Sequence, residues 1–334
     1  MNITVVKHGV YDTIQDMGRT GFQHEGINVN GCMDRIAAEM ANALVGNSSS
    51  EPLLELHYPA SSLLFNITTL IAITGADFSP YIDDIPVSNN NTIKINAGST
   101  LQFRKRKKGV RAYIAIHGGW EAELWLHSYS TNNKASAGGY KGRILKKGDL
   151  LKNKQTKYLF NTIFHKKNFD TIPLKINLSG FYINSRLIRC TIGSEFKWLT
   201  EESKNIFQLN QHKLTMQSDR MGYRLQSDKL SMSENAPTRL SSGVTLGTIQ
   251  FLPNGQLIIL MADHQTTGGY PKIAHVISAD IHKLAQLGPN SIINFTLVSQ
   301  KEAEQSFLQQ RFELDQLKKR VVAKFLKVFT DEID

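Results

Sequence analysis

Apolar residues in this chain fall mostly into short runs divided by Pro, Gly, Asn or Asp. After a first run over residues 2 to 6, Leu53 to His57, Ser62 to Ile67, Leu70 to Thr74, Thr92 to Ile95 and Thr100 to Phe103 follow at close spacing. Short β-rich runs with turns between them predict the strands of a barrel or sandwich rather than βαβ units. A second β-rich region starts at Leu174, and its apolar run Leu257 to Met261 reads as a buried strand. Within that region Ile188 to Phe196 echoes Ile71 to Phe78 in its order of strand, Gly, small residue, acid and Phe, a pattern that agrees with a duplicated barrel.

Helical spacing is rarer. Ile36, Met40, Ala43 and Leu44 share one face of a helix expected over Arg35 to Val45, with Asp34 as its cap and Gly46-Asn47 closing it. A short helix is expected over Ile281 to Leu287 and a last strand over Ile292 to Val298. The tail from Glu302 to Phe329 places Leu314, Leu317, Val321, Phe325 and Val328 on a helical stripe between charged faces, so a packed terminal helix is expected.

With 334 residues the chain has length for two domains. The expected division is a β domain with an early helix over 1–165, a second β domain over 170–300 and a helical tail over 301–334. Lys152 to about Asn168, rich in Lys, Asn and Thr, reads as the connection. The chain is 41% hydrophobic and 20% charged, an ordinary soluble globular composition. Its net charge of +10 raises the question of an anionic partner. The densest basic run, Arg104 to Lys108, lies at a hairpin tip outside any recognised nucleic-acid module, so solvated charge is the reading and no nucleic acid is expected. Cys32 and Cys190 match no metal or redox spacing, which suits a reducing compartment. Neither a leader-type start nor an apolar run near the length of about 20 residues that a membrane span requires is present, so a cytoplasmic protein away from membranes is expected.

Three polar loops carry the candidate chemistry. Residues 8–21 set Asp12, Asp16 and Arg19 among three glycines. Ser218 to Leu225 sets Arg220 and Arg224 around Gly222-Tyr223 beside Asp219; guanidinium forks there can hold a carboxylate or phosphate, or can fix a turn through an Asp–Arg pair. Asp263-His264-Gln265-Thr266-Thr267-Gly268-Gly269-Tyr270-Pro271-Lys272 follows the buried strand and offers hydroxyls, amide, charge and a close-approach Gly-Gly pair. These loops are expected to converge on one pocket. No nucleophile elbow, H-E-x-x-H, P-loop or dinucleotide fingerprint is present, the histidines lack ligand spacing and no metal site is expected.

Several motifs together resemble one family. They are Gly9-x-x-Asp12-Thr13-Ile14-Gln15-Asp16-x-Gly18-Arg19-x-Gly21, Met33-Asp34 with its helix ending Ala41-Asn42-x-Leu44-Val45-Gly46-Asn47, and Ala72 to Ala76. Ser218 to Leu225, Gly247-Thr248-Ile249-Gln250 and Asp263 to Pro271 complete the set. The pattern resembles the KipA family, the C-type subunits of 5-oxoprolinase, also called the biotin-dependent carboxyltransferase-related or allophanate hydrolase subunit 2 family. The resemblance implies a mainly β fold of two cyclophilin-like β-barrel domains and a C-terminal helix. It also implies a KipI-like B-type partner and an A-type partner, and ATP-dependent opening of 5-oxo-L-proline to L-glutamate with ATP and Mg²⁺ in the assembled complex. On this reading Arg19, Arg220, Arg224 and Lys272 supply positive charge, and Asp16, Asp219 and Asp263 contact metal–nucleotide, move protons or orient the arginines. Gln250, Gln265, Thr266, Thr267, Gly268, Gly269 and Tyr270 line the substrate.

The chain departs from the family pattern where His127-Ser128-Tyr129-Ser130-Thr131 replaces Gly-Ser-Arg-Ser-Thr and where Ser241-Ser242-Gly243 replaces Ser-Glu-Gly. Two other functions share the same resemblance. One is the carboxyltransferase part of a urea carboxylase-like enzyme, which needs biotin on a separate carrier. The other is a non-enzymatic regulator of a KipI-like kinase inhibitor.

Overall fold

The computed structural model describes residues 2–154, 168–234 and 240–330. The chain divides into two compact units, and neither is continuous. The first comprises Met1–Arg19, Asp34–Gly180 and Glu313–Asp334; the second comprises Thr20–Met33 and Phe181–Phe312.

The first unit contains two six-stranded sheets. One runs Leu150–Lys152, Asn2–Lys7, Ser62–Phe65, Thr100–Phe103, Pro80–Ile82, Ile85–Pro86. The other runs Phe169–Lys175, Asn91–Ile95, Thr69–Asp77, Lys108–Ile116, Leu53–His57, Thr13–Gln15. Helix α1, Arg35–Leu44, packs on the second sheet and starts where the Asp34 carboxylate accepts the Ala37 N–H at 3.0 Å. Thr74 and Thr92 on that sheet donate their hydroxyls to the carbonyls of Ala37 and Leu44 at 2.7 and 2.6 Å, so the buried hydroxyls are satisfied by the helix they face. The helix ends before Gly46, whose φ of 71° and close approach to the Phe325 ring leave no room for a side chain.

In the second unit seven strands close into a barrel, in the order Leu187–Ile192, Lys272–Val276, Thr248–Phe251, Leu257–Leu260, Gly222–Gln226, His212–Leu214, Ile292–Leu297. Closure comes from parallel pairing of Ile292–Leu297 with Leu187–Ile192, from Leu187 opposite Asn294 to Cys190 opposite Leu297. Alternation along these strands points Ile188, Cys190, Tyr223, Leu225, Ile249 and Ile259 into one core and leaves Arg224 outside. Helix α2, Glu201–Leu209, is capped by the Thr200 hydroxyl and drives Phe207 against Phe295, ring stacked on ring at 4.8 Å. Helix α3, Ile281–Ala285, follows the barrel strand Lys272–Val276, and helix α4, Gln300–Thr330, ends the described chain.

Most expected elements are present, with Leu53–His57 and Thr100–Phe103 at the predicted bounds. The terminal stripe packs as expected at Leu314, Val321 and Phe325, while Leu317 and Val328 are only half-buried. Helix α2 is not foreseen from periodicity because only Ser203 and Phe207 of its nine residues are buried. The domain bounds differ from those read off the chain. Phe169–Lys175 pairs with Asn91–Ile95 and so completes a sheet of the first unit, burying Asp170, Ile172 and Leu174 there. Residues 20–33 belong with the second unit and residues 313–334 with the first. A period of two announces a strand but not its partner, and a linear reading assigns each strand to its neighbour in sequence. The expected connection falls largely on residues 155–167, outside the described residues.

Candidate functional site

In the first unit the loop after Thr13–Gln15 is held by a carboxylate. Asp16 Oδ1 accepts from Gly18 N at 2.8 Å, Ser128 Oγ at 2.7 Å and Ser130 Oγ at 2.5 Å, and Oδ2 accepts from Tyr129 N at 2.6 Å. Asp16 N donates to Ser130 Oγ at 3.0 Å. With its lone pairs so used, Asp16 organises the 128–130 turn. Arg19 is 1% exposed, donates to the Ser130 carbonyl and lies over the Trp125 ring at 4.6 Å. Gly138 and Gly139 pack closely on these groups: a side chain at Gly138 would meet the Ser130 carbonyl, and one at Gly139 the Thr131 hydroxyl. His127 stands at φ 60° in the left-handed region, which explains why the family pattern carries glycine there. Tyr129, in place of the pattern's arginine, receives Lys154 over its ring at 4.3 Å.

Asp12 on the same loop is a second buried carboxylate. It accepts from His57 N at 2.9 Å and Ser61 N at 2.7 Å. Burial pushes its carboxyl up to about 6, although hydrogen bonds from Ser61 and His57 and the charge of His8 pull the other way.

Two of the three polar loops meet in the second unit through Arg220 and Asp263. The guanidinium forks onto the carboxylate, Nε to Oδ2 at 2.8 Å and one terminal nitrogen to Oδ1 at 2.9 Å, and that nitrogen also donates to the Gly31 carbonyl at 2.8 Å. Asn30 adds a bond to Asp263 Oδ1 at 2.7 Å, Asn28 one to the Asp263 carbonyl at 3.0 Å, and Asp263 N donates to the Arg220 carbonyl at 2.8 Å. The partner of Arg220 is thus Asp263 and not the adjacent Asp219, whose Oδ1 instead accepts from Met221 N and Gly222 N at 2.8 and 3.1 Å and fixes the turn. The early segment that joins these loops is Thr20–Met33, whereas Asp16 and Arg19 sit in the first unit.

The segment after Asp263 carries the more exposed of this unit's candidate residues. Thr267–Gly268 pairs with Ser242–Gly243, and Val244 N donates to the Thr266 carbonyl at 3.0 Å, so Gln265 to Gly269 make one arm of a two-stranded ribbon. Gln250 is buried beneath it and donates to the Tyr270 carbonyl at 3.3 Å; a side chain at Gly268 would meet the Gln250 amide and displace it. The pairing of Thr248–Phe251 with Lys272–Val276 shifts register between Ile249 and Gln250, and this bulge re-aims the backbone at Lys272. Buried Glu195 accepts the Lys272 N–H at 2.6 Å, Gly193 donates to the Ile273 carbonyl at 2.8 Å, and Lys272 Nζ donates to Ser242 Oγ. Tyr270 is 46% exposed beside it, and Arg224 is exposed on the barrel's outer surface.

Two histidines border this arm. Burial lowers the pKa of both His264 and His275, and the charge of His264 lowers His275 further; Asp263 and the Gln265 carbonyl offset part of the effect at His264. Both imidazoles are therefore neutral near pH 7, with His264 Nδ1 at the Gln265 carbonyl and His275 Nδ1 3.4 Å from Thr248 Oγ1. Sequence reasoning missed Ser128, Ser130, Asn30 and Glu195. The S-x-S spacing of the first pair within the family-like motif was the available signal; Glu195 appeared only as the acid of the internal echo.

The carboxyltransferase domain, subdomain A and B, family matches residues 25–297, and the chain belongs to that family. Among its relatives is the C subunit of 5-oxoprolinase from Haemophilus influenzae, 36% identical over 92% of this chain and 95% of the relative. The corresponding C subunit of Escherichia coli K12 5-oxoprolinase is 35% identical over 94% of this chain and 97% of its own length. The crystal structure of Kluyveromyces lactis urea carboxylase superposes with a TM-score of 0.83 at 30% identity over 95% of this chain, which spans 29% of that longer chain.

Proposed function

We propose that this chain is the C-type subunit of an ATP-dependent 5-oxoprolinase that opens 5-oxo-L-proline to L-glutamate, working with a KipI-like partner of the B type and a further partner of the A type. The observation that carries the reading is the nearly end-to-end match to two proteins named as the C subunit of 5-oxoprolinase. A lactam carbonyl is a poor electrophile. Transfer of the ATP γ-phosphoryl group to its oxygen would activate the carbon, so that water adds there, the ring C–N bond breaks with the nitrogen taking a proton, and the resulting acyl phosphate is hydrolysed by a second water to L-glutamate and phosphate. Charge that develops on phosphoryl and carbonyl oxygens calls for fixed donors.

Lys272 is the group best placed for that role, because the Glu195 clamp and the bulge fix its backbone while its ammonium rests on a serine hydroxyl. Gln250 and the Gln265–Tyr270 arm would hold the substrate by hydrogen bonds. Arg220 contributes through Asp263 by setting the arm's root, and Arg19 through the 128–130 turn. The carboxylates of Asp16, Asp219 and Asp263 are each engaged by internal donors, and no cluster of three or more His, Cys, Asp or Glu able to hold a metal occurs among the described residues. The described donor set does not fit a magnesium site, and no step here runs through the ion.

The likeness to urea carboxylase favours a second reading, carboxyl transfer to an amide nitrogen from a biotinylated carrier. A third, regulation of a KipI-like inhibitor, uses the same partner without turnover. Mixing the chain with candidate A-type and B-type partners and following ATP- and 5-oxoproline-dependent glutamate separates them. Turnover supports the oxoprolinase reading. A requirement for a biotinylated carrier, or assembly without turnover, overturns it in favour of the second or third.

A further inference from the structure

We propose that one end of the first unit is a docking surface for an acidic face of a partner protein. The strand register brings this surface together from three separated stretches of sequence. In the first sheet Lys7 lies opposite Ser62, Leu63 opposite Leu101, and Val5 exchanges backbone bonds with Gly148 and Asp149. The Lys146-Lys147 turn, the Lys7 end of the first strand and the Arg104 exit of Thr100–Phe103 therefore share one sheet end. Three strand spacings separate its outer members, about 15 Å. From Arg104 the chain crosses to the second sheet: Lys105 N donates to the Phe78 carbonyl and Lys107 N to the Asp77 carbonyl at 3.2 and 2.8 Å, and Lys108 pairs with Asp77.

The cations on this end are exposed and unspent. Lys7, the residues Lys105 to Lys108, Lys146 and Lys147 all face solvent, and none has an ion-pair partner among the described residues. Arg104 alone is used, paired with Asp84 and stacked over Tyr81 at 3.9 Å. The acids nearby are committed: Asp12 accepts two backbone N–H groups, Asp77 accepts Ser79 N at 2.7 Å, and Asp149 is gripped by Arg143. Seven exposed cations on a frame held by backbone bonds outnumber the carboxylates of Asp12 and Asp77 beside them and set up a net positive field that a complementary surface relieves.

The chemistry of the surroundings selects a protein. Stacking of bases requires open aromatic faces, yet Tyr81 lies under Arg104 and Tyr58 donates its hydroxyl to the Arg104 carbonyl at 2.7 Å. Insertion into lipid requires several large apolar side chains, and near this end the described residues offer only Val10, 60% exposed with its N–H on the Pro59 carbonyl, and Leu150, 48% exposed on the strand after the Lys146-Lys147 turn. With few apolar residues and covered aromatic faces, charge pairing with an acidic protein surface is the recognition chemistry this end offers. Only the partner's identity rests on the oxoprolinase assembly proposed above.

The test has two arms. In the first, affinity for the A-type and B-type partners is measured by biolayer interferometry between about 50 and 300 mM NaCl, using the intact chain, a Lys105→Glu/Arg106→Glu/Lys107→Glu variant, a Lys146→Glu/Lys147→Glu variant and a Lys301→Glu control. Affinity should fall about tenfold or more with salt and in both rim variants, with the control and the circular dichroism unchanged. Rim variants within about twofold of the intact chain overturn the proposal while leaving the oxoprolinase reading intact. If the intact chain binds neither partner, the assembly reading falls, and the second arm decides the surface: labelled poly-L-glutamate, a DNA duplex of about 20 base pairs and phosphatidylserine vesicles at equal charge. Poly-L-glutamate binding lost in the rim variants supports the proposal. Binding of the duplex or vesicles in preference, or no binding, overturns it.

Discussion

Removing the Arg220 guanidinium tests whether this residue is a brace or a substrate contact. In Arg220→Ala the Asp263 carboxylate loses both forked bonds and keeps the Asn30 amide, and the Gly31 carbonyl loses its donor. Stripping one partner from a buried pair costs about 3 to 5 kcal/mol, and because the Asp263 side chain is 16% exposed the lower end, about 3 kcal/mol, is expected. That corresponds to a fall in Tm on the order of 10 °C. Arg220→Lys should recover less than half, since an ammonium cannot reproduce the fork. The double replacement Arg220→Met/Asp263→Leu should cost less than Arg220→Ala, because no charge remains buried. Urea titration of the isolated chain at pH 7 reads all three. A loss below about 1 kcal/mol in Arg220→Ala, the range of an exposed pair, would refute the brace. Full stability with abolished turnover would make Arg220 a substrate ligand.

Three further outcomes follow from other contacts. Asp12 binds its proton more tightly folded than unfolded, so stability falls as pH rises from about 3.8 through about 6 and the penalty stands in full above that, at about 3 kcal/mol. Asp12→Asn should flatten that part of the pH–stability curve measured by chemical denaturation, and an unchanged slope would contradict it. Lys272→Met should leave stability within about 1 kcal/mol, because the ammonium contacts an exposed serine, while lowering kcat of the assembled enzyme by a factor of about 100 or more; equal kcat in steady-state assays would remove Lys272 from the site. Glu195→Ala leaves the Lys272 N–H without its acceptor and should cost about 1 to 3 kcal/mol in urea titration, most of it recovered by Glu195→Gln, whose amide oxygen can accept the same bond; no recovery would show that the charge matters instead.

The fold was legible where a local rule decides it. Asp34 capping α1, Gly46 ending it and the strand Leu53–His57 each follow from neighbours in sequence. The sites were legible as residue types but not as pairings. Arg220 stood beside Asp219 in the sequence, yet its fork closes on Asp263, 43 positions away, because barrel strands bring those loops to one end. Asp16 suggested chemistry, but its oxygens are taken by Ser128 and Ser130, 112 and 114 positions on. The basic run Arg104 to Lys108 read as a solvated tip. Only the register of three strands showed that Lys7, Lys146 and Lys147 extend it into a surface. What escaped is tertiary in origin: the hydrogen-bond partner of a buried polar group is set by topology, and no local pattern encodes it.

Reconstitution of this chain with its candidate A-type and B-type partners, followed by glutamate release from 5-oxo-L-proline, decides whether the chain is a working subunit of the enzyme. ATP-dependent glutamate should form, disappear when this chain is omitted and fall about 100-fold or more when the Lys272→Met variant replaces it in an intact assembly. Assembly verified by ultracentrifugation without turnover, or turnover that persists without this chain, would contradict it.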